Sequence, residues 1–269
     1  MPASTSHPGL FDLGQKDIGR AMIRLKSPLS RLPRVRYGPR PDFLHFTAPL
    51  ERLESDGSGC SLVSPFLAAR YLAVEQECED GSRTEPVECT LEFRSEQARM
   101  AETGFFRCSD PELQRIVEAC RTTIRLCMVP HYEGNSTLAL QPDRSRSFAK
   151  TWRGSGDSRV LVDGPRRDRE VWVGDLLPMV RTAWIFFGDR EVIRNSLQVF
   201  LDQSEPDGYM PASSISMQRF HEYNAWFFIV LAEYVMLSGD VSFLGENASR
   251  IREAMRYLIG LLEKDGTLV

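Results

Sequence analysis

Between Leu161 and Asp175 the chain reads Leu-Val-Asp-Gly-Pro-Arg-Arg-Asp-Arg-Glu-Val-Trp-Val-Gly-Asp, which sets Asp163, Asp168 and Asp175 among Arg166, Arg167 and Arg169, with Trp172 alongside. Crowded carboxyls raise one another's pKa, whereas adjacent guanidinium groups hold a carboxyl ionised. A set of this composition can keep one carboxyl protonated near neutral pH and another charged. That is the division of labour acid–base hydrolysis of a glycosidic bond requires. An indole beside such carboxyls is an apolar wall against which a sugar ring can lie. The same residues permit a plainer reading, in which Asp163 and Asp175 cap helices and pair with Arg166, Arg167 or Arg169 on the surface. Spacing alone leaves both open.

The elements around this segment are of two kinds. Up to about Met100 the chain is rich in Pro, Gly and Ser, with β-type runs at Leu67–Glu75 and Val87–Phe93. Apolar and polar residues alternate in the second run, which predicts strands with one wet face and β-sandwich material over residues 1–103. The character changes at Cys108-Ser-Asp-Pro-Glu112, where Ser109 or Asp110 can cap a helix, Pro111 suits its first turn and Glu112 can complete a capping box. Leu113, Ile116, Val117, Cys120, Ile124 and Cys127 then recur at helical spacing. A long polar stretch, about 130 to 160, has no helical period, and a loop this long is uncommon unless it serves a site or is disordered.

Beyond the acidic segment, apolar stripes predict helices over Val173–Phe187, Arg190–Asp202, a third through Tyr223, Phe227, Val230 and Tyr234, and a last over Val241–Glu263. Gly188-Asp189 and Gly239-Asp240 recur after the two aromatic-rich helices. Helix, Gly-Asp turn and helix, repeated, is the pattern of stacked helical hairpins. The fold class expected is mainly α with a β N-terminal part, divided into residues 1–103 and 104–269.

Composition narrows the partners. With 33 basic and 37 acidic residues mixed along the chain and a net charge of −4, no concentrated basic face is available for nucleic acid. Residues 1–22 hold no apolar run of the kind a secretory signal needs, and Ala225–Val235 is far shorter than a bilayer span, so the expectation is a cytoplasmic chain without membrane contact. The six cysteines, at 60, 78, 89, 108, 120 and 127, form no close pair and are read as reduced, mostly buried thiols with no zinc site. His221 is read as a capping or surface histidine, and no partner is assigned to His131. No cofactor is called for, and the oligomeric state is left open.

The string Asp163-Gly-Pro-Arg-Arg-Asp168-Arg-x-x-Trp172-x-Gly-Asp175 closely resembles the signature of glycoside hydrolase family 78, the α-L-rhamnosidases. The likeness extends over roughly residues 65 to 269, through Gly104-Phe-Phe-Arg-Cys-Ser-Asp110, Asp207-Gly-Tyr-Met-Pro211 and Glu222-Tyr-Asn-Ala-Trp226. It implies part of an (α/α)₆ six-hairpin barrel preceded by β-sandwich material, and hydrolysis of terminal α-linked L-rhamnose with inversion. On this resemblance Asp168 is the general acid, Asp163 and Asp175 are the accompanying motif acids that bind sugar hydroxyls, and Arg167, Trp172, Tyr209, Glu222 and Trp226 line the sugar. Many family members carry Glu where Asp168 stands, and Glu170 is the alternative proton donor. The family's general base lies further downstream, so the chain is read as truncated and its isolated activity as doubtful. A helical-hairpin glycosidase for another sugar and a non-catalytic sugar-binding remnant are the rival readings.

Overall fold

The computed structural model describes residues 9–44, 46–53, 60–78, 84–96, 101–130, 158–167, 169–214 and 219–262. The chain divides into two compact units, Met1–Gln97 and Ala98–Val269.

The first unit is β. Its strands are β1 (Leu10–Leu25), β2 (Arg34–Gly38), β3 (Phe46–Pro49), β4 (Glu51–Arg52), β5 (Ser61–Val63), β6 (Leu67–Glu77), β7 (Thr84–Pro86) and β8 (Cys89–Ser95), joined in one eight-stranded antiparallel sheet. The long strand β1 organises it. One edge of β1 takes β5 and β6 in succession, and the other takes β8, with Ile23 opposite Leu62 and Leu91. Alternation works as expected along β1: Ala21, Ile23 and Leu25 are buried in one cluster with Val35, Tyr37, Leu62, Leu72, Val74 and Leu91. The predicted runs are found as β6 and β8, the second starting two residues late at Cys89. Where sandwich material was expected, the described strands of this unit belong to one hydrogen-bonded sheet, with a large buried cluster and a smaller one of Leu10, Leu44 and Ala73.

The second unit carries α1 (Pro111–Cys127), α2 (Val173–Phe187), α3 (Arg190–Asp202), α4 (His221–Ser238), α5 (Val241–Glu246) and α6 (Ala248–Gly260), with a ribbon of β9 (Met128–Pro130) and β10 (Arg159–Leu161). Asp110 caps α1 by accepting from the amides of Glu112 and Leu113, with Pro111 following it, so Glu112 stands second in the helix, one short of the third position a capping box uses. The ribbon, which periodicity did not reveal, brackets the long polar stretch; residues 131–157, with His131, lie outside the described residues. Ser196 of α3 accepts from the Leu161 amide at 2.8 Å, seating β10 on that helix.

The Gly-Asp repeat is a pair of helix stops and starts. Gly188 and Gly239 have φ of 58° and 68°, the left-handed conformation that ends α2 and α4 at least steric cost. Asp189 and Asp240 then cap α3 and α5. The last predicted helix is broken: Asn247 ends α5 and precedes α6, its side-chain amide donating to the Phe243 carbonyl at 3.1 Å. Helix α2 packs against α1, α3 and α4, and α4 against α3 and α6. Arg181 of α2 holds Glu233 of α4 through two bonds of 2.6 and 3.0 Å.

Two expectations about burial fail. Leu113 and Ile116 of the α1 stripe are 43% and 53% exposed, and only its C-terminal end, at Ile124, Leu126 and Cys127, is buried. Of the six free cysteines only Cys127 is buried, while Cys108 and Cys120 are exposed. An apolar stripe reports which side of a helix wants cover, and cover is supplied by other elements. Among the described residues no helix is long and apolar enough to cross a membrane, and no group of three or more His, Cys, Asp and Glu could hold a metal ion.

Candidate functional site

The acidic segment is fastened at three levels. Its backbone closes first: the Asp163 amide donates to the Glu170 carbonyl at 2.9 Å, and the Glu170 amide donates to Asp163 Oδ1 at 3.1 Å. Asp163 and Glu170 are thereby brought together, and a turn follows Asp163, from the Arg167 amide to the Gly164 carbonyl at 3.3 Å. Arg169 adopts φ of 55°, unusual for a residue with a side chain, and is only 3% exposed. Residues 171–173 are laid next against 212–214. The Ser214 amide donates to the Val171 carbonyl at 3.0 Å and the Val173 amide to the Ala212 carbonyl at 3.1 Å, with Trp172 opposite Ser213. Helix α2 has no side-chain cap, so this ladder takes up one of the amides a helix start leaves without an intrahelical partner.

Third comes the arginine. The Arg167 Nε lies 3.3 Å from Asp163 Oδ2 and its Nη1 3.9 Å from Asp175 Oδ1, so one guanidinium spans the Asp163 carboxylate and another in the first turn of α2. The two carboxylates differ sharply in environment. Asp163's side chain is wholly enclosed, while Asp175's is 40% exposed. Partial burial pushes the Asp175 carboxyl above the usual range of an aspartate, and the Arg167 charge pulls against that rise. Asp163 and Arg167 do pair, yet around an enclosed carboxylate, and neither Asp163 nor Asp175 caps a helix. Asp168 lies outside the described residues.

Trp172 is half-buried and meets Tyr223 of α4 edge-on, ring centroids 6.1 Å apart. Gly174 leaves room for that tyrosine: a Cβ there would stand 3.4 Å from Tyr223 Cε1. The indole Nε1 is shielded and has no acceptor among the described residues. Sequence reading passed over Tyr223 as a site residue, since only the crossing of α2 and α4 brings it to the motif.

The remaining predicted positions are elsewhere. Tyr209 is 2% exposed within an aromatic cluster, 6.2 Å from His221 and 5.7 Å from Tyr257 by ring centroids. Its hydroxyl accepts from the Phe220 amide at 3.1 Å, and Arg219, itself paired with Glu205 and Asp207, stacks on the ring at 4.8 Å. Gly208 has φ of 92°, and a Cβ there would fall 2.4 Å from the Glu253 carbonyl oxygen, so this turn presses on α6. His221 donates to or accepts from the Tyr257 hydroxyl at 2.8 Å, a packing role and not a cap. Glu222 is exposed and Trp226 is 38% exposed on the early turns of α4. The structure thus brings together Asp163, Arg167 and Asp175, pairs Trp172 with Tyr223, and seats Tyr209 in a buried cluster.

No family profile matches the sequence, and no curated protein matches it significantly. Solved structures do. A rhamnosidase from Klebsiella oxytoca with rhamnose bound superposes with a TM-score of 0.63 at 19% identity, covering 97% of this chain and 50% of that one. The GH78 rhamnosidase of Bacillus sp. GL1 gives 0.64 at 19% identity, over 96% of this chain and 25% of that one. The Streptomyces avermitilis α-L-rhamnosidase complexed with L-rhamnose gives 0.54 at 17% identity, over 97% and 24%. The fold is therefore one that α-L-rhamnosidases contain, and the chain spans half or less of the length of each.

Proposed function

We propose that the chain is part of a glycoside hydrolase that removes terminal α-linked L-rhamnose with inversion, and that its helices form one side of an (α/α)₆ barrel. The single observation that carries this reading is the Arg167 bridge between Asp163 and Asp175, in a segment that resembles the α-L-rhamnosidase signature, on a fold those enzymes share. Asp168 is the proton donor to the leaving oxygen. Asp175, whose carboxyl is raised by partial burial and remains accessible, is positioned to bind a sugar hydroxyl and to tune that donor. Asp163, being enclosed, serves by holding Arg167. Trp172, buttressed by Tyr223, offers the ring its apolar wall. Inversion also needs a carboxylate to activate water some 6.5–9.5 Å from the acid, and the 163–175 segment is not assigned that role.

The test is turnover of 4-nitrophenyl α-L-rhamnopyranoside beside the corresponding glucoside and galactoside. Release from the rhamnoside alone, reduced about 10²- to 10⁴-fold in Asp168→Asn, is the expected result. Hydrolysis of a different sugar only, or an Asp168→Asn variant as fast as the parent, would remove the assignment. Rhamnose binding without turnover would favour the non-catalytic reading.

A further inference from the structure

The bonds that shape the acid–arginine group run through Glu170 and its neighbour. The Glu170 carbonyl and amide hold Asp163, at the base of the segment that carries Arg167. Its side chain turns the other way. Glu170 is 5% exposed, and Oε2 accepts from the hydroxyl of Ser214, itself 2% exposed. That hydroxyl is already committed as an acceptor, because the Val171 amide donates to it at 3.2 Å. Ser214 must then spend its proton elsewhere, and a buried hydroxyl left without an acceptor is costly. Glu170 supplies one. Ser214 also receives a carbonyl contact from the opposite side, where the Gln203 side-chain amide donates to its carbonyl at 3.2 Å.

We propose that Glu170 is a positioning residue: its enclosed carboxylate, held by Ser214, fastens the Asp163–Glu170 pairing to the 212–214 segment and so sets where Arg167 stands. The assignment rests on the glycosidase reading for its consequence, though not for its geometry. It also decides against Glu170 as the proton donor, since a carboxylate enclosed to this degree and engaged by a hydroxyl is not presented to a substrate. What the position needs is an acceptor oxygen, which a glutamine retains.

The experiment compares Glu170→Gln, Glu170→Ala and Ser214→Ala in the full chain by amide hydrogen exchange over residues 159–175, by calorimetric titration with L-rhamnose, and by aryl rhamnoside turnover. Glu170→Gln should match the parent in all three. Glu170→Ala and Ser214→Ala should exchange at least about tenfold faster at the Asp163, Glu170 and Val171 amides, with sugar affinity and turnover falling together. Should Glu170→Ala fail to fold, the contrast between Ser214→Ala and Glu170→Gln still decides. Unchanged exchange in Ser214→Ala overturns the proposal, as does a Glu170→Gln variant that loses turnover while its exchange stays parental, which would put Glu170 on the substrate. If the parent itself neither binds nor cleaves rhamnoside, the exchange data still judge the positioning role, and only the functional reading falls.

Discussion

At Arg167 a single guanidinium acts on two carboxyls in the same sense. It neutralises Asp163, which is enclosed and could not stay charged there without a counter-ion, and it lowers a carboxyl on Asp175 that burial would otherwise raise further. Replacing it with alanine should therefore raise the Asp175 pKa above its already elevated position and leave a buried carboxylate uncompensated, at a cost of about 2 kcal/mol. Carboxyl-carbon NMR titration reads the first effect and denaturant unfolding the second. A variant with an unshifted Asp175 and parental stability would mean that the guanidinium stands free of both acids in solution. The local acid–arginine pattern was legible from types and spacing. Its inequality was not, because whether Asp163 or Asp175 is the enclosed one depends on what packs over each, and one-dimensional spacing carries no burial. Tyr223 and Ser214 were equally beyond reach, each brought to the motif by a remote element.

At the scale of elements the sequence was most readable where a local rule sufficed. Asp110, Asp189 and Asp240 cap the helices they precede, and Gly188 and Gly239 end the ones they follow, since caps and left-handed glycines are determined within a few residues. The break at Asn247 was missed because the apolar stripe runs straight through it, while the side-chain bonds of Asn247 to Phe243 and Gln198 that stabilise the break are partly non-local. The ribbon β9–β10 was missed because three-residue strands carry too little pattern. Asp240 shows how much one cap can hold: besides the Phe243 amide, it accepts from Ser242 and from the buried Tyr234 hydroxyl, both at 2.5 Å, and faces Arg194 at 3.4 Å. These bonds, those of Ser242 and Tyr234 foremost, hold its carboxyl down at about 2, below the ordinary 3.8. A depressed folded-state pKa contributes stability above the unfolded value and loses it as pH falls, so the contribution should be complete above about pH 4 and vanish towards pH 2. Asp240→Ala should cost about 2–3 kcal/mol at neutral pH and flatten the acid limb of the stability curve. Thermal unfolding from pH 2 to pH 7 checks this, and parallel curves for parent and variant would contradict it.

At the scale of the whole molecule, the sequence separated a β-rich front from a helical remainder, and the structure places all eight long-sheet strands before Gln97 and all six described helices after it. Less legible was which apolar faces find cover. Trp226, Ile229 and Met236 of α4 and Ile259 of α6 remain exposed, although periodicity marks their helices as core-forming. The rhamnosidases that share the fold are about two to four times as long as this chain. On the glycosidase reading proposed above, the Arg167 group and Trp172 together grip a deoxyhexose. Isothermal titration of the chain with L-rhamnose, alongside Arg167→Ala and Trp172→Ala, should give saturable one-to-one binding that each substitution weakens at least about tenfold. Binding that neither substitution disturbs, or no binding at all, would contradict it.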